Sequence, residues 1–135
     1  MKLPVIAYIY ILSSVVVFFI GLLRIKMLDR GMFLFFWFIV LGLVTEIITF
    51  TLSRYNINNH WVLHFYDLVE YCILILMLSY WQFEKRIANA LKISIAPFVL
   101  FWIISKLTIE SFSGLSNYVH PVASLIVIIF SIITL

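Results

Sequence analysis

Charge is what this sequence has least of. Charged residues make up 11% of its 135 residues and apolar residues 65%, where a soluble domain carries about 25% charged and about 45–50% apolar residues. Nine Lys/Arg and six Asp/Glu are too few to coat a globular surface with polar groups. The scarcity excludes an ordinary soluble domain, a disordered chain and a nucleic-acid binder. An integral membrane protein remains, and lipid becomes its first expected partner.

Other scarcities narrow the reading further. Cys72 is the single cysteine, so no intrachain disulfide forms and no redox compartment is indicated. Three histidines make no metal-binding tract. No Ser stands beside a His in the local signature of a nucleophilic hydrolase, and no catalytic residue is assigned. The apolar runs also lack two-residue alternation, which excludes a closed β-barrel.

What is present is five apolar runs. A bilayer core of about 30 Å needs roughly 20 apolar residues as a helix. Runs at about 4–23, 32–52, 62–83, 93–109 and 119–135 meet or approach that length. Short spacers leave no room for a soluble domain, so residues 1–135 are expected to form one all-α, five-helix transmembrane domain, an up-down bundle. The first run is followed directly by Arg24, Lys26 and Arg30, the pattern of an anchor rather than of a cleaved signal peptide.

Basic residues orient the bundle. Arg24, Lys26, Arg30, Lys85, Arg86 and Lys92 follow runs one and three, while Lys2, Arg54 and Lys106 lie toward the other side. The expected topology puts the N-terminus outside and the end of run five in the cytoplasm. An isoleucine-rich, alanine-poor composition points to a bacterial inner membrane. The last run ends at Leu135 without a basic flank, so the natural chain is expected to continue, with a cytoplasmic segment next.

Ionisable side chains inside a membrane face protein or water, not lipid. At about 1.5 Å per residue, Glu46 lies about 9 Å, Asp67 about 8 Å and Glu70 about 12 Å from the outer ends of their spans. His60, His64, Asp67, Glu70 and Tyr71 share a stripe about 120° wide on span three, and Gly42, Thr45, Glu46, Thr49 and Ser53 share one on span two. Consecutive helices with a short connection are neighbours, so the two stripes are expected to meet. Lys106, Glu110 and His120 lie at the same outer end. The expected binding site is therefore a polar cup of Glu46, His64, Asp67, Glu70, Lys106, Glu110 and His120. His60, His64 and Asp67 are the candidate metal ligands, and no cofactor is indicated. Tyr55, Trp61, Tyr118, Tyr80 and Trp81 read as interfacial anchors, whereas Trp37 and Trp102 are expected to pack between helices.

Interhelical hydrogen bonds need no charge, since Ser, Thr or Asn supply them at about 0.6 kcal/mol each. Three carboxylates at one level exceed that need. The expected function is a non-enzymatic sensing, binding or assembly module with an outward-facing polar cup, working in signalling and joined by self-association or by another membrane subunit. The alternative is a pore-forming effector, channel or transporter acting as an oligomer, with Ser131 and Thr134 along its lining. A third option is a metal-dependent enzyme of the outer leaflet.

Overall fold

The structure, a computed structural model, describes residues 5–134. Pro4, Lys2 and Leu135, used above for a span limit, the charge balance and the chain end, lie outside them. Among the described residues the fold is all-helical: α1 (Val5–Leu23), a 3-10 turn (Ile25–Met27), α2 (Arg30–Arg54), α3 (His60–Trp81), α4 (Lys85–Thr108) and α5 (Val119–Thr134). Three of these helices, α2, α3 and α4, are long and apolar enough to cross a membrane, while Leu12–Leu23 of α1 and Val119–Thr134 of α5 are shorter apolar stretches. At 16 residues, α5 is about 24 Å long.

Helix α3 is the axis of the fold. It packs against α2, α4 and α5, while α1 packs on α2. The most hydrophobic stretch of α3 is 39% buried, against 11% for α2 and 17% for α4. The core is Tyr71 and Ile75 of α3, Leu91, Phe98 and Trp102 of α4, and Val119 and Ala123 of α5. Tyr71 and Phe98 stack with ring centroids 3.7 Å apart, and Ala123 keeps α5 close to them. Outside this core the helices expose large apolar side chains along their length, such as Leu12, Ile47, Ile93 and Ile132. Soluble monomers do not leave apolar faces of that extent to water.

Local chemistry explains where the helices start and meet. Asp29 caps α2, its carboxylate accepting from the Met32 amide at 2.6 Å, which satisfies one of the free first-turn donors. Gly31 lies under the Trp81 indole and Gly21 under the Phe36 ring, so closely that a methyl group at either position would collide with the aromatic ring. These glycines bring α2 against the end of α3 and α1 against α2. Phe18 stacks on Phe36 beside Gly21.

Two expectations change. Helix α4 starts at Lys85 rather than near Ile93, where the unbroken apolar run begins. Ile87 and Leu91, one turn apart, pack on the core while Lys85, Arg86 and Lys92 are exposed, so the first turns are amphipathic. The two tryptophans also differ. Trp102 is buried between helices, but Trp37 is 47% exposed.

Candidate functional site

The end of the bundle formed by the α2–α3 turn and the α4–α5 connection carries the buried ionisable groups His64, Asp67 and Glu110. Asparagines shape the turn. Asn56 takes a left-handed φ of 56°, a conformation Asn tolerates better than most residues. Asn58 accepts from the His60 amide at 2.9 Å and donates to the Ser113 carbonyl at 3.0 Å. Asn59 donates to the Thr49 carbonyl at 3.2 Å. The turn is thereby tied both to α2 and to the α4–α5 connection.

Two groups of side chains branch from α3. In the first, His64 is 1% exposed. Its Nδ1 accepts from Lys106 Nζ at 2.8 Å, because an ammonium can only donate. In that arrangement Nε2 donates to the Gly114 carbonyl at 3.1 Å. Lys106 also pairs with the Glu110 carboxylate one turn on. The second oxygen of Glu110 accepts from the Tyr118 amide at 2.5 Å and the Val119 amide at 3.3 Å, at the start of α5, where a helix favours negative charge. Burial works to raise the Glu110 pKa, but the Lys106 hydrogen bond and charge and the two backbone amides hold it below its ordinary value of 4.5.

Aromatic rings close this group. Phe112 of the α4–α5 connection stacks on Phe65 and meets His64 and Trp102 edge-on, with centroids 5.8, 5.7 and 6.0 Å away. Trp102 Nε1 donates to the His64 carbonyl at 3.1 Å. Every polar atom of the Lys106 and Glu110 head groups used here ends on a partner within the fold, so this group is a latch that folds the α4–α5 connection over the helix ends.

The second group lies on the neighbouring face of α3, toward α5. His120 Nδ1 donates to Asp67 Oδ1 at 3.0 Å. Glu70 stands one turn further along α3, and Asp67, Glu70 and His120 present ligand-type atoms that all lie within 4.8 Å of one another. They line a cavity of about 200 Å³ whose remaining wall is mostly Tyr71, Leu74, Ala123 and Val127. Asp67 is 7% exposed, whereas the His120 side chain is 55% exposed. The cavity thus combines two carboxylates, an apolar wall and one exposed imidazole.

No family model, curated protein or solved structure matches this chain.

The seven residues grouped by depth from the sequence therefore divide. His64, Lys106 and Glu110 form the latch, and Asp67, Glu70 and His120 line the cavity. Glu46, half-buried on α2, is among neither the latch contacts nor the cavity wall, and its carboxylate has no hydrogen bond or ion pair among the described residues. His60, His64 and Asp67 do not converge as one ligand set: both His64 nitrogens are engaged elsewhere, and His60 Nδ1 is buried without a hydrogen-bond partner. Phe112 and Gly114, which complete the latch, were not among the sequence candidates. An apolar residue and a glycine in a polar connection give no signal until the loop is folded back.

Proposed function

We propose that the chain is a membrane-embedded, non-enzymatic sensing and binding module whose site is the Asp67–Glu70–His120 cavity, opening on the non-cytoplasmic side of a cell membrane, in bacteria the inner membrane. The observation that carries the reading is the convergence of two carboxylates and an imidazole on a cavity. Helix association needs no such charge, and in a bilayer each ionised group costs about 2.5–3.5 kcal/mol at the helix centre.

The orientation is supported by how the basic residues are used. Arg24, Lys26, Arg30, Lys85, Arg86 and Lys92 are all exposed at the end opposite the cavity. At the cavity end Arg54 is exposed, but Lys106 is spent on His64 and Glu110. The charge difference between the two ends is larger than the raw residue count, and basic loops stay in the cytoplasm. With all five helices spanning, the N-terminus is outside. The apolar outer faces of α1 and α2 leave room for lipid, for self-association or for another membrane subunit. The oligomeric-pore alternative has less support, because the Ser131 and Thr134 hydroxyls donate to carbonyls of their own helix at 2.8 and 2.9 Å.

Ser124 lines the cavity and tests its opening. With Cys72→Ala as background, Ser124→Cys should react with a membrane-impermeant maleimide added to intact cells. A Ser124→Cys thiol that stays unmodified while a thiol at Asn117 in the same end reacts would mean that the cavity is closed to the outside, and the reading would fail.

A further inference from the structure

We propose that the Asp67–Glu70–His120 cavity binds a divalent transition ion, Zn²⁺ in the first instance. The inference rests on the reading of this cavity as the binding site and adds the class of ligand it takes. Three observations support it.

The donor set is mixed. Two carboxylates and one imidazole present atoms within 4.8 Å of one another. Zinc bonds to imidazole nitrogen and carboxylate oxygen at about 2.0–2.2 Å, which places ligand atoms of a tetrahedral site about 3.4 Å apart. His120 Nδ1 and Asp67 Oδ1 are already 3.0 Å apart. The remainder is left to side-chain rotation, for which the exposed His120 is the best placed of the three. Imidazole nitrogen favours a first-row transition ion over Mg²⁺ or Ca²⁺, which prefer oxygen throughout.

Among the described residues no Lys or Arg pairs with either carboxylate. Asp67 and Glu70 sit together beside His120, and Lys106, the lysine at this end among the described residues, is committed to His64 and Glu110. An ion would displace the proton between Nδ1 and Oδ1, which moves to Nε2 of a neutral imidazole or passes to solvent from an imidazolium, and would balance both carboxylates at once.

The frame is rigid and one side is open. Asp67 and Glu70 are one turn apart on α3, which is packed on three sides, and Ala123 seats α5 against Tyr71. Three protein ligands leave a fourth position free, the arrangement of zinc sites that exchange a ligand.

The test uses purified full-length chain in detergent, titrated with Zn²⁺ by calorimetry and with Co²⁺ by visible absorption, with Mg²⁺ as control. One equivalent of Zn²⁺ should bind, Co²⁺ should give a ligand-field band that Zn²⁺ removes, and Mg²⁺ should not compete. His120→Gln and Glu70→Gln should each weaken binding by more than about tenfold, the lower end of what loss of even an outer-shell partner costs. His60→Gln and Glu46→Gln should leave it unchanged. His120 is exposed and Glu70 half-buried, so both variants keep the fold, checked by circular dichroism. No Zn²⁺ binding, or binding that survives both His120→Gln and Glu70→Gln, would overturn the proposal. The titration does not depend on sidedness. Zn²⁺ binding with an unreactive Ser124→Cys would remove the outward opening alone, and a reactive Ser124→Cys without Zn²⁺ binding would remove the metal alone.

Discussion

Breaking the Lys106–Glu110 pair should unfasten the α4–α5 connection at a large and non-additive cost. Their side chains are 2% and 3% exposed, so neither charge is met by water. Lys106→Met leaves Glu110 buried with only the Tyr118 and Val119 amides, and removing one member of a buried pair costs about 3–5 kcal/mol. Glu110→Gln keeps an acceptor for those amides but leaves the Lys106 ammonium facing only His64, a cost in the same range or slightly below it. The double variant removes both charges and should be less destabilised than the two single costs combined, with a coupling energy of about 1–3 kcal/mol. The assay is SDS-driven unfolding in mild detergent, followed by tryptophan emission, to which the adjacent Trp102 contributes. Additivity within about 0.5 kcal/mol would mean that the two groups act independently, and the latch would be wrong. The pair also sets a pH dependence. The Glu110 pKa is lowered in the fold from 4.5, so its contribution is complete above that value and is lost as pH falls through the lowered pKa. Wild-type stability should therefore decline in acid below about pH 4.5, and Glu110→Gln should flatten that decline.

Two further outcomes test the packing. Trp102→Phe removes the indole donor to the His64 carbonyl, and unfolding midpoints should report a loss of about 0.5–1.5 kcal/mol, because that carbonyl is also in the helix ladder. Gly21→Leu drives a side chain into the Phe36 ring and should cost about 1–3 kcal/mol in the same assay, while Ile47→Ala on an exposed face should change stability by less than about 0.5 kcal/mol; equal costs would mean that α1 does not pack on Phe36.

The helices were legible in the sequence because long apolar runs with few charges have little choice but to be helical. The start of α4 was not, since a hydropathy run stops at Lys85, Arg86 and Lys92 even though Ile87 and Leu91 continue inward. The polar level was legible from residue counting at 1.5 Å per residue, and it gathered six of the residues that the fold uses at one end. Which partner each would take was not. Depth carries no information about direction around the axis between helices, so Glu46 was grouped with Asp67 and Glu70 while His120, 53 residues from Asp67, was the side chain that reached it. The four-residue spacing of Lys106 and Glu110 makes them helical neighbours, but their pairing, the Gly114 carbonyl and the Phe112 ring come together only in the folded α4–α5 connection. Trp37 and Trp102 each follow a phenylalanine in an apolar run, and the packing of α4 on α3 separates them.

The proposed function requires the acidic cavity to lie at the non-cytoplasmic end of a membrane bundle. Its most direct test is a pair of single cysteines in the Cys72→Ala chain, one at Asn117 in the α4–α5 connection and one at Asn89 in the first turns of α4, both exposed positions. With an impermeant thiol reagent on intact cells, the thiol at position 117 should be modified and that at position 89 protected until the membrane is permeabilised. Modification at position 89 and protection at position 117 would turn the cavity toward the cytoplasm and contradict the account.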